Sequence, residues 1–193
     1  MRKLLVVAAI VMCALLFTSP AKADSNLVTN GGFETGDFTG WTLSGNTANP
    51  GVFYGVDNFD ANSGNYGAFL GAVGSPITLS QTLSTEAGDN LVVSFAVAQN
   101  LFLTDPTGST NTFLVTLGGA TLLSLSNPAS IGAYQVYTFD LTAAASSLVL
   151  NITSQNNTDY WSLDDVSVTA PEPQTLMLLG PALAGLALLR RRA

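Results

Sequence analysis

Ile77-Thr78-Leu79-Ser80-Gln81-Thr82-Leu83 decides the fold of this chain. Its aliphatic side chains fall on alternate positions with hydroxyl groups between them, the period-two pattern of a strand with one face on a core and one on water. Working outward, Leu91-Val92-Val93-Ser94-Phe95-Ala96-Val97 is apolar almost throughout and reads as an interior strand. Residues 112–117 and 121–125, joined by Gly118-Gly119, read as a hairpin. Further short strands are expected at 52–56, 68–70, 134–139, 147–152 and 160–168, separated by turn-forming clusters such as Glu86-Ala87-Gly88-Asp89-Asn90. About ten short strands with no helical period between the termini predict an all-β chain, an antiparallel β-sandwich, as one domain over 24–169.

The charges narrow the chemistry. All six basic residues lie near the ends, Arg2, Lys3 and Lys22 in front and Arg190, Arg191 and Arg192 behind. Between Asp24 and Leu189 there is no lysine, arginine or histidine. Nucleic-acid binding is therefore excluded, because it requires cations to displace phosphate counterions. Histidine-dependent triads and His/Cys zinc sites are excluded too. The single cysteine, Cys13, lies in the N-terminal apolar run, so the domain has no disulfide framework. A buried carboxylate here cannot form a salt bridge; it must accept hydrogen bonds, bind a metal or take up a proton. An oxygen-rich, imidazole-free setting suits a hard cation such as Ca²⁺.

Both ends carry targeting features. Met1-Arg2-Lys3, an apolar run over 4–17 and Ala21-Lys22-Ala23 form the three parts of a signal peptide, 1–23, cut by signal peptidase. At the other end Ala170-Pro171-Glu172-Pro173-Gln174 precedes an uncharged apolar run, 175–189, and then Arg190-Arg191-Arg192. The prolines hold the backbone extended, and the arginines mark the cytoplasmic side of a single C-terminal transmembrane helix. As a helix the run spans roughly 22 Å at about 1.5 Å per residue, short of the roughly 30 Å bilayer core. With Gly180-Pro181 in its middle, it reads as a temporary tether. The order of Pro-Glu-Pro, apolar run and arginines resembles the PEP-CTERM sorting signal, covering 170–193. That resemblance implies processing by exosortase at Pro171, Glu172 and Pro173, with Arg190, Arg191 and Arg192 as the stop. It also implies a Gram-negative host that makes exopolysaccharide.

Within the domain, Asn30-Gly31-Gly32-Phe33-Glu34-Thr35-Gly36 with Trp41, the strand 77–83, and Leu163-Asp164-Asp165-Val166-Ser167-Val168 resemble the jelly-roll carbohydrate-binding modules of the galactose-binding-like superfamily. The resemblance implies a two-sheet sandwich whose first and last strands lie close together, with a structural Ca²⁺. Glu34 and one of Asp164 or Asp165 would be its ligands, helped by backbone carbonyls near Asn30. Independently, two adjacent carboxylates with no cation to answer them repel unless something intervenes. In a regular strand Asp164 would share a face with Val166 and Val168, and Asp165 with Leu163 and Ser167. One of the two is expected to point inward, and the pattern leaves open which.

For a glycan ligand, the exposed-aromatic candidates are Trp161, Tyr54, Tyr66 and Phe102, with Asn62, Asn65 and Gln99 as hydrogen-bond partners. Trp41, Phe33, Phe95 and Phe139 are assigned to the core. The Asn/Asp/Gly-rich stretch 57–67 reads as a solvated loop. The functional expectation is an exported, non-enzymatic surface or extracellular-matrix protein associated with exopolysaccharide. A lectin-like module with a defined glycan is the alternative.

Overall fold

The structure is a computed structural model and describes residues 25–48, 52–100, 110–128 and 132–170. The expected signal peptide and sorting tail, including Pro171, Glu172, Pro173 and Arg190 to Arg192, lie outside the described residues. One compact unit comprises Asn26–Ala170. It contains ten strands and, among the described residues, no helix.

The strands are β1 (Thr42–Gly45), β2 (Phe53–Asp57), β3 (Gly67–Gly71), β4 (Ile77–Ser84), β5 (Asn90–Asn100), β6 (Asn111–Leu117), β7 (Ala120–Ser126), β8 (Gln135–Thr142), β9 (Ser147–Asn156) and β10 (Tyr160–Thr169). They form two five-stranded sheets, ordered β1-β4-β9-β6-β7 and β2-β3-β10-β5-β8, and every pairing is antiparallel. The expected β-sandwich is the one observed. Ile77, Leu79 and Leu83 of β4, Phe113, Val115 and Leu117 of β6, and Leu148, Leu150 and Ile152 of β9 face inward from the first sheet. Leu70, Val93, Phe95, Val97, Trp161, Leu163, Val166 and Val168 meet them from the second. The hairpin β6–β7 turns at Gly118-Gly119, both at positive φ (57° and 85°), the backbone region such a tight turn requires.

The opening segment corrects one expectation. β1 itself pairs with β4 in the first sheet and is remote in strand order from β10. It is the chain before β1 that reaches the last strand: Asn26 bridges Thr169, Leu27 N–H donates to Val168 O at 2.8 Å, and Val166 N–H donates to Gly31 O at 2.9 Å. The Asn26 side chain adds bonds to Val168 N–H and Val166 O. Gln81 clasps the same segment from β4, its amide accepting from Thr29 N–H and donating to Thr29 O.

The two sheets differ chemically. None of the five strands of the first sheet holds a charged residue. The second sheet carries Asp57, Asp140, Asp164 and Asp165 in its strands.

Candidate functional site

The site is built where β10 departs from regularity. Asp164 pairs with Ala96, but Ser167 pairs with Ser94, so Asp165 and Val166 together occupy the span of one partner residue. This is a β-bulge, and Asp165 makes the extra step at φ 54°. Trp161 and Leu163 before the bulge and Val166 and Val168 after it therefore all face the core. The expectation that Asp164 shares a face with Val166 and Val168 is thus overturned. Asp164 lies on the outer side of the sheet, beside Ser162.

There it is covered by the long β2–β3 connection. Asp164 is fully buried, with one carboxylate oxygen accepting from the backbone N–H groups of Asn62 (2.7 Å) and Ser63 (3.0 Å) and the other from Asp165 N–H (2.7 Å). Asp165 accepts from Asn62 Nδ2 and Ser63 Oγ. Glu34, reaching across from the opening segment, accepts from Asn65 N–H (2.8 Å), Tyr66 N–H (3.1 Å) and Asn65 Nδ2 (3.2 Å). Three carboxylates thus hold a single loop, and the stretch read as merely solvated is pinned along its length. A Cβ on Gly64 would lie 2.1 Å from Glu34 Oε1, and one on Gly67 would lie 1.5 Å from Asp60 O, so both positions require glycine.

Asp60 is buried within this loop. It takes the Ser162 hydroxyl hydrogen bond on its carboxylate, and its backbone carbonyl accepts from Tyr134 OH at 2.5 Å. Burial pushes Asp60 up to about 6, helped by the nearby charges of Asp57 and Asp159. Burial also raises Asp164, against the backbone N–H bonds that oppose it. Glu34 moves the other way, lowered first by the N–H of Asn65 and then by that of Tyr66.

Asn30 serves a different purpose. Its side chain bonds Thr35 Oγ1, Asp37 O and Thr39 O and accepts from Thr35 N–H, while its carbonyl takes Phe33 N–H and Trp41 Nε1. It shapes the loop that buries Phe33 against Trp41, rings stacked at 5.8 Å. As a test of fit to a calcium ion, the Asn30 backbone carbonyl already accepts two bonds, while Asn30 Oδ1 and both Asp165 oxygens accept one each. Glu34 Oε2 and Asp164 Oδ1 each accept one bond and retain a lone pair for a cation. Among the described residues, no three carboxylates stand together as a metal-binding group. Backbone carbonyls would have to complete any coordination.

Next to this loop, on the same outer face, three aromatic rings meet. Phe53, Phe69 and Tyr160 come from adjacent strands β2, β3 and β10, with ring centroids 5.5–6.1 Å apart. Phe53 is 43% exposed, and the other two are half-buried. Gly55 stands directly opposite Phe69, and a Cβ there would lie 2.6 Å from that ring. The glycine lets the ring lie against the sheet. The result is an aromatic platform beside the pinned loop, with Phe59 projecting from that loop at 89% exposure.

None of these rings was among the aromatics chosen from sequence. Trp161 is fully buried, packed on Phe113 with Nε1 bonded to Gln155 O, so the expected glycan contact is a core residue. Tyr54 packs against the core beside Phe38. Tyr66 keeps an exposed ring over Gly36. Asn62 and Asn65 spend their side-chain amides on Asp165 and Glu34, and Gln99 is buried with Oε1 unpaired. Phe102 lies outside the described residues. The missed signal was Phe69 placed between Gly67 and Gly71, an aromatic whose same-face neighbours are both side-chain-free.

By sequence, the chain matches no family model and no curated protein. By structure, it is similar to the enzymatically active domain of bacteriophage CBA120 tailspike protein 4 (TM-score 0.58, 18% identity, 75% of this chain). The match spans only 21% of that tailspike chain. It is similar to TmCBM61 in complex with beta-1,4-galactotriose (TM-score 0.51, 18% identity, 76% of this chain and 99% of that one). A Stig cyclase, Fisc, from Fischerella sp. TAU also matches (TM-score 0.55, 17% identity, 77% and 98%). At these identities the likeness is one of fold, and it is the jelly-roll fold expected from the resemblance.

Proposed function

We propose that this chain is an exported, non-enzymatic protein of the cell surface or extracellular matrix whose β-sandwich binds carbohydrate at the Phe53–Phe69–Tyr160 platform. The platform is the observation that carries the reading. A pyranose presents an apolar C–H face that packs on aromatic rings while its hydroxyls reach neighbouring polar groups. The polar β2–β3 loop lies beside these rings, and the fold is shared with a module whose structure holds a galactotriose. Of the two functional expectations, this favours the lectin-like one. Catalysis by an imidazole, thiol or amine is unsupported, because residues 24–189 contain no histidine, cysteine, lysine or arginine.

Export by a signal peptide, brief membrane tethering and exosortase processing at a PEP-CTERM signal remain part of the reading. They rest on the sequence of the two ends. Mass spectrometry of the secreted form tests them: the protein should begin near Asp24 and lack Arg190 to Arg192. Glycan binding is tested by titrating the secreted protein with neutral β-1,4-linked oligosaccharides. Tyr160→Ala and Phe53→Ala should each weaken binding at least about tenfold, as loss of a stacked ring does. Unchanged affinity in both variants overturns the platform.

A further inference from the structure

We infer that β8 is a pairing edge through which two copies of this chain join, strand against strand, into a dimer. Four strands bound the two sheets, and three of them are poor templates for another chain. β1 has four residues and β2 five, while β7 slips register against β6 at a bulge. Short strands and bulges are the devices that keep a sheet edge from recruiting a further strand. β8 has neither. Its eight residues pair with β5 from Gln135 opposite Val97 to Thr142 opposite Asn90 without a break, and they include no proline and no lysine. Among the described residues, no strand pairs with its other side. Alternate backbone N–H and C=O groups therefore face outward along a straight rim.

The side chains suit a second copy. Tyr137, Phe139 and Leu141 pack against the core but are only half-buried, because they stand at the margin of the sheet. On the outer face Val136 is 65% exposed. A two-fold axis through the rim at Phe139 would set Phe139 on its counterpart and Tyr137 on Leu141 along the inner side. Along the outer side, Val136 would meet Thr142, and Thr138 would meet Asp140, the one charged residue of the strand. No carboxylate then stands opposite another. This register matters in a domain that holds carboxylates and no cation, since its copies otherwise repel. The aromatic platform spans β2, β3 and β10, away from β8 in the strand order, and stays open in the pair.

Sedimentation velocity of the secreted protein at about 1 to 500 μM, with no sugar present, tests this. The wild type should pass from monomer to dimer across that range, as fits an interface at the small end of the scale. Raising salt from about 0.05 to 0.5 M should tighten the dimer at least about threefold, because screening relieves the repulsion between two anionic bodies. Thr138→Asp sets a second carboxylate against the partner's Asp140 and should weaken pairing at least about tenfold, whereas Thr138→Lys should strengthen it. Should Thr138→Asp lower the melting temperature, Val136→Asp takes its place. A wild type that is monomeric throughout, a folded aspartate variant that pairs as well as the wild type, or a lysine variant as weak as the aspartate one overturns the inference. Oligosaccharide titration of the monomeric variant reports on the platform separately.

Discussion

Asp60 is a carboxyl group buried in a domain that offers no cation, and burial lifts it to about 6, so it keeps its proton only below that pH. An acid whose folded pKa exceeds its unfolded one stabilises the fold fully below the unfolded value, and that contribution is lost as pH rises through the folded pKa. For Asp60 the window runs from near 3.8 to about 6, and Asp164, also raised by burial, acts in the same sense. Glu34 and Asp37 are lowered, the first by the Asn65 and Tyr66 N–H groups and the second by Thr39 and Thr35. Their contribution is present above the ordinary carboxylate range and is lost as pH falls through it. The melting temperature should therefore rise as pH drops from about 7.5 to 5.5 and fall again below about 4. Asp60→Asn should flatten the upper limb. A melting temperature that climbs steadily up to about pH 8 would contradict this assignment.

At the scale of elements, the β2–β3 loop depends on the β10 bulge. Asp164→Ala would strand the N–H groups of Asn62 and Ser63 beneath the loop, at a cost on the order of 3 kcal/mol. Denaturant melts should show that loss, and hydrogen exchange should accelerate first at Asn62 and Ser63. Exchange unchanged at those two amides would mean that the loop is held elsewhere. This element also marks how far the sequence was legible. Strand β4, the apolar β5 and the Gly118-Gly119 hairpin were readable because their signals are local. The bulge was not, since one positive φ at Asp165 reverses the alternation and no neighbouring residue announces it. Trp161 was misplaced because its exposure depends on strand phase. The platform was invisible because Phe53, Phe69 and Tyr160 meet only through pairings distant in sequence. Glu34, Asp164 and Asp165 were found as a group, and what they hold in this structure is a loop.

At the scale of the molecule, calcium can be tested against the whole fold. We propose that Ca²⁺ engages Glu34 and Asp164, joining the opening segment to β10. Chelation with EDTA should then lower the melting temperature, because a ligand of the native state stabilises it by mass action. An identical curve with and without EDTA would leave the N–H groups of the loop, those of the backbone and of the Asn65 amide, to hold these carboxylates without a metal.

The pairing of Asn26 with Thr169 has a mechanical consequence. The polypeptide enters and leaves the sandwich side by side, on antiparallel neighbours. Tension drawn between those two points would unzip the join one hydrogen bond at a time, starting at its weakest place. Traction arriving through the broad faces would instead shear whole strands, loading many bonds together. Such a body is feeble when tugged by its ends and sturdy when gripped by its flanks.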